Sequence, residues 1–80
     1  MVSLEDVAPI LANQLVIQPE IIKLDSKLKE DLGGDSLDAV EIVAAVEEKF
    51  KIEIENDEVL QIQTVADLIQ IIEKKGSTVN

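Results

Sequence analysis

Apolar residues recur every three or four positions over three stretches of this chain and lose that rhythm between them. In the first, Leu4, Val7, Leu11 and Leu15 follow Ser3, with Asp6 three residues beyond the serine, the spacing in which a hydroxyl and an acid cap a helix start. This predicts a helix over about residues 4–15. Pro9 lacks the N–H a helix interior needs, so the helix either kinks there or starts there. Between residues 16 and 35 no long period holds. Ile17, Ile21, Leu24, Leu28 and Leu32 are spread so as to pin a long connection onto a core, with a helical turn near Leu28. Gly33 and Gly34 then break the chain, and residues 37–50 contain no Gly or Pro, which predicts a second helix over about 36–50.

Residues 51–55 alternate like a strand, but only residues 61–65 could pair with them, and a loop is the better reading. Asn56 followed by Asp57 and Glu58 predicts a short helix to about Gln61. Thr64 with Asp67 is another capping pattern, and Val65, Leu68, Ile69 and Ile72 carry a last helix to about Lys75. Lys74, Lys75 and Gly76 are favourable terminators, leaving 76–80 as a frayed tail. The expectation is an all-α fold, a small four-helix bundle of three longer helices and one short, with a long loop between helices 1 and 2. At 80 residues it forms a single domain with one core.

Charge narrows what such a bundle does. Seventeen acids face seven lysines, with no arginine, for a net charge of −10. That sign argues against nucleic acid and against insertion into anionic membranes, and it favours basic protein partners. Cys, His, Tyr and Trp are also absent, which removes disulfides, thiolate nucleophiles, zinc and iron–sulfur ligand sets, the usual general base near neutral pH and the usual stacking platforms. An enzyme is improbable on that inventory. The longest apolar run, residues 42–46, is far too short to span a membrane, and the first residues lack the pattern of a targeting segment. The expectation is a cytoplasmic monomer.

The second helix concentrates the candidate chemistry. At about 100° per residue, Asp38, Glu41 and Glu48 fall within an arc of roughly 80°, while the apolar residues from Leu37 to Phe50 sweep roughly 220°. A sweep that wide means a helix embraced by its neighbours or one bordering a cavity. At its start, Asp35, Ser36, Leu37 and Asp38 lie where unpaired N–H groups and the positive end of the helix dipole favour an anion. Simple capping by Asp35 or Ser36 is the commoner cause of such a tetrapeptide, but capping alone does not require two preceding glycines. Without a base nearby, Ser36 is a poor nucleophile and a good acceptor for a phosphate-linked group.

The run from Asp31 to Ile42, DLGGDSLDAVEI, followed by Glu47, Glu48, Lys49 and Phe50, resembles the acyl carrier proteins of dissociated fatty-acid synthesis. The likeness continues through Ile52, Ile54, Thr64 and Val65, so residues 28–75 are covered well and the first helix only by pattern. It implies a four-helix bundle in which Ser36 carries covalent 4′-phosphopantetheine, whose thiol holds acyl groups as thioesters. It also implies docking on basic patches of ketoacyl synthases, reductases, dehydratases, acyltransferases and the phosphopantetheinyl transferase. Carried over by position, the partner contacts are Asp35, Asp38, Glu41, Glu47 and Glu48, with Leu37 and Ile54 as apolar anchors. The family shelters its acyl chain within the bundle, for which Val40, Ala44, Val46, Ile62 and Leu68 are the candidate lining. Gly34 stands where a small alanine is frequent, which is harmless, and Pro9 departs from the family's first helix.

Other readings remain open on the residues alone. An aminoacyl or peptidyl carrier uses a similar serine, and an acidic helical adaptor would use Ser36 only as a cap. Calcium binding fits poorly, because Asp31, Gly33 and Asp35 do not meet the spacing of a calcium loop, and no metal site is expected.

Overall fold

The computed structural model describes residues 2–76. Its helices are α1 (Leu4–Leu15), α2 (Ser36–Phe50), α3 (Asn56–Gln61) and α4 (Val65–Gly76). The fold is all-α. Among the described residues the one β-type pairing is an isolated antiparallel bridge between Lys27 and Thr64, so the alternating segment 51–55 is a loop. Residues 77–80, read above as a tail, lie outside the described residues, and Gly76 closes α4 from within instead of following it.

Helix α1 begins ahead of Pro9 and takes the proline into its interior. A late start at Pro9 is thereby excluded. The lost N–H is tolerated because Pro9 faces solvent while Val7, Ala8 and Leu11 on the opposite face are buried, and tertiary burial outweighs a local propensity cost. The start is fixed by the Ser3 N–H, which donates to the Asp6 carboxylate at 2.9 Å.

Both α1 and α2 stop with a left-handed residue that is not glycine. Val16 has φ 56° and its N–H donates to the Ala12 carbonyl; Lys51 has φ 59° and its N–H donates to the Glu47 carbonyl. These bonds satisfy carbonyls that the helix end would otherwise leave open. Val16 carries the larger strain, because its branched Cβ crowds the backbone there, and it is 89% exposed.

The long connection is anchored, but not at every expected residue. Leu32 is buried, and Ile17 and Leu28 pack partly against the core. Ile21 and Leu24 are about half exposed, and Ile22 takes the buried place instead. The cause is a 3-10 turn over Pro19–Ile21, closed by the Ile22 N–H on the Pro19 carbonyl, which shifts the side-chain phase by one residue. A turn follows at Leu28, where the Asp31 N–H donates to the Lys27 carbonyl at 2.8 Å. The connection is then stitched to the start of α4. Leu28 N–H donates to Gln63 O at 2.9 Å, Val65 N–H to Ser26 O at 3.0 Å and Ala66 N–H to Leu24 O at 2.9 Å.

The core joins Val7, Ala8 and Leu11 of α1, Ile42 and Val46 of α2, and Val65, Leu68, Ile69 and Ile72 of α4, closed by Ile22, Leu32 and Ile54 from the connections. Helix α3 adds no buried residue and is tied to α4 by an ion pair of 2.8 Å between Lys75 Nζ and Glu58 Oε1.

Candidate functional site

Ser36 is the first residue of α2, immediately after the cap residue Asp35. The start is locked from both sides: the Asp38 N–H donates to Asp35 Oδ1 at 3.0 Å, and the Asp35 N–H donates to Asp38 Oδ2 at 3.2 Å. Capping is therefore done by Asp35 and Asp38. Gly34 precedes this lock in a confined place. A Cβ there would stand 3.0 Å from the Leu28 carbonyl oxygen and 3.3 Å from a Leu15 methyl, closer than side chains normally tolerate. The Gly34 N–H also donates to that Leu28 oxygen at 2.9 Å, so the approach of two backbones brings the serine turn onto the connection.

The expected partner residues separate into those presented to solvent and those employed internally. Asp35, Glu41 and Glu48 are exposed, as is Leu37 at 75%. Asp38 is half-buried. Glu47 is also half-buried and accepts the Ile54 N–H at 2.8 Å, so its carboxylate holds the loop after α2. Ile54 itself is only 8% exposed and packs in the core, which corrects its expected place as an anchor for a partner.

A cleft of about 630 Å³, within the range of small-molecule sites, opens beside the start of α2. Gly34, Asp35 and Asp38 stand at its α2 end; Ala39, Val40, Ile42 and Val43 form one wall; Val59, Leu60 and Ile62 form another; Leu28 and Leu68 also contribute. Of the five lining positions expected from sequence, Val40, Ile62 and Leu68 are found in it. Ala44 is exposed away from the cleft, and Val46 has no exposed surface because it sits in the core between helices. The wide apolar sweep of α2 is thus divided between core and cleft, with Leu37, Val40 and Ala44 left exposed.

Sequence reasoning passed over Gln14, which lies beside the α1 stripe and reads as an ordinary solvent-side polar residue. Its Nε2 donates to Glu41 Oε2 at 2.9 Å and to Asp38 Oδ1 at 3.3 Å. The Val59 and Leu60 wall was also missed, because a six-residue helix has too few positions to show which face is apolar. Among the described residues no group of three or more acids is arranged to hold a metal ion, and no helix is long and apolar enough to cross a membrane.

Comparison with known proteins decides what this arrangement belongs to. The family described as "Phosphopantetheine attachment site" matches residues 5–72, a span that contains the serine turn and the cleft walls. The acyl carrier protein of Campylobacter curvus is 46% identical over 95% of this chain and 99% of its own length. This chain belongs to the acyl carrier protein family. The acyl carrier protein of a Sulfurovum species is 51% identical over 91% of the chain and 97% of its own length. The crystal structure of the acyl carrier protein of Thermotoga maritima superposes with a TM-score of 0.84 at 30% identity, covering 95% of this chain and 88% of that one. As a member of the family the chain is a carrier protein and not an enzyme, and 4′-phosphopantetheine is its prosthetic group.

Proposed function

We propose that Ser36 is the attachment site of 4′-phosphopantetheine and that the chain carries fatty-acyl groups as thioesters to the enzymes of fatty-acid synthesis. The observation that carries this reading is the junction at the start of α2: Ser36 is the first residue after the capping lock between Asp35 and Asp38, and the cleft opens beside that lock. The residues suit the group. First-turn N–H groups and the helix dipole favour a phosphodiester at this point, and the apolar walls of the cleft suit an alkyl chain returning from it. When attached, the group supplies a thiol that forms the thioester. The chain's own residues orient the helix start and offer shelter from water.

The acidic face is what the partners read. Asp35, Asp38 and Glu41 lie near the serine with the exposed Leu37 among them, Glu48 extends the acidic face toward the far end of α2, and Glu47 contributes while remaining bonded to Ile54. A carrier that must leave each partner gains more from charge-guided encounter than from a large buried apolar patch. We assign to this face the phosphopantetheinyl transferase and the basic surfaces of ketoacyl synthases, reductases, dehydratases and acyltransferases, met by a cytoplasmic monomer. The cleft lined by Val40, Val43, Val59, Ile62 and Leu68 is our choice for the acyl shelter.

The test is direct. Incubation with a phosphopantetheinyl transferase and coenzyme A, followed by digestion and mass measurement, is expected to add one phosphopantetheinyl group to the fragment containing Ser36 and none to a Ser36→Ala chain. An unchanged mass for the wild-type fragment would return Ser36 to a purely structural place.

A further inference from the structure

Gln14 joins α1 to two carboxylates of the face discussed above, and chemistry fixes how it does so. A carboxylate only accepts hydrogen bonds, so the amide NH₂ end, and not its oxygen, must face Asp38 and Glu41. Asp38 and Glu41 are three residues apart on α2, where like charges repel and would splay their side chains. One nitrogen, 3.3 Å from Asp38 Oδ1 and 2.9 Å from Glu41 Oε2, draws them together. Asp38 is further restrained by the bond from the Asp35 N–H at 3.2 Å to its other oxygen. Two anions converging on one donor nitrogen is also what a single lysine ammonium from a partner would require.

We propose that Gln14 is a positioning residue for docking: it holds Asp38 and Glu41 convergent beside Ser36, so that one basic side chain of the loading enzyme engages both. The inference rests on the reading of Ser36 as the loaded serine. Helix α1 thereby takes part in recognition without itself carrying charge to the partner. The convergent pair exists before the partner arrives, which lowers the ordering cost of the encounter. A Met at position 14 keeps the length and volume of the side chain and removes both donors.

The experiment is steady-state loading of the full chain by a phosphopantetheinyl transferase with coenzyme A. It compares wild type, Gln14→Met and Gln14→Ala, each also in an Asp38→Asn, Glu41→Gln background, with the melting temperature of every variant recorded. Loss of the donors is expected to raise KM roughly three- to tenfold with kcat nearly unchanged, the size of one ordinary hydrogen bond, because Gln14 acts on the partner only through the two carboxylates. In the background lacking both carboxylates, the same substitutions are expected to leave KM where it was. A KM unchanged by both substitutions, or raised equally in both backgrounds, would overturn the proposal. A fall in melting temperature with KM unchanged would make Gln14 a staple between helices and would equally overturn it. Failure of the wild-type chain to load at all would sink the reading of Ser36, an outcome distinct from either.

Discussion

The Glu47 carboxylate and the Ile54 backbone are bound across the turn that follows α2, with the Ile54 N–H donating to Glu47 Oε2 at 2.8 Å. Deleting that acceptor leaves a partly buried donor without a partner, at a cost of about 1–3 kcal/mol. Urea denaturation should show Glu47→Ala destabilised by that amount and Glu47→Gln, which keeps an acceptor oxygen, by clearly less. Equal loss in both variants would mean that the charge of Glu47, and not its bond to Ile54, matters.

The pair that fastens α3 to α4 has a defined pH window. The Lys75 ammonium, followed by the Glu55 N–H, holds the Glu58 carboxyl below the ordinary carboxylate range, and the Glu58 carboxylate raises Lys75. A depressed acid gives stability that is present above its unfolded value and lost as pH falls through the folded one; a raised lysine gives stability that is lost only as pH climbs through its folded value. Wild type should therefore melt above Glu58→Gln at neutral pH, and the two should converge as pH drops below about 4. A gap that persists at low pH would refute the pairing as its source.

Val16 is a branched residue at φ 56°, with 89% of its surface exposed. Replacing it with glycine removes the steric strain of the left-handed region while sacrificing almost no packing, a gain of roughly 1 kcal/mol. Thermal unfolding of Val16→Gly should show a higher midpoint. A lower one would show that the exposed side chain restricts the unfolded chain more than it strains the folded one.

Nine acids lie between residues 35 and 58 against Lys49 and Lys51. Their mutual repulsion is screened by salt, so the melting temperature should rise between about 20 mM and about 200 mM sodium chloride. Magnesium should act at lower concentration. A flat melting temperature over that range would mean that the acids are already too far apart to repel.

The helices were legible because each is bracketed by local signals: Ser3 with Asp6, Asp35 with Asp38, and Thr64 with Asp67, each opening a run of apolar spacing. Pro9 could not be placed from sequence, since its tolerance depends on which face of α1 the rest of the bundle buries. The 3-10 turn at Pro19–Ile21 moved the anchor from Ile21 to Ile22, a one-residue phase change that an irregular segment does not announce. The resemblance pointed to Ser36, and the capping lock at its position follows from the adjacent residues. Ala44 and Val46 fall outside the cleft because helical spacing says which residues share a face, but not whether that face meets a neighbouring helix, a cleft or water; Ile54, carried over from the resemblance and not from any spacing, is drawn into the core by the loop after α2. Gln14 was invisible because its role lies in two bonds to a helix that starts more than twenty residues later.

The stitching of residues 24–28 to residues 63–66 bears on how the molecule is made. The platform beneath the serine turn borrows hydrogen-bond partners from the beginning of the last helix, nearly forty residues downstream. A nascent chain emerging from the ribosome therefore lacks that support until residues 63–66 have been synthesised. The serine turn lies in the middle of the chain, yet the segment it rests on is fully bonded only once residues 63–66 have reached it.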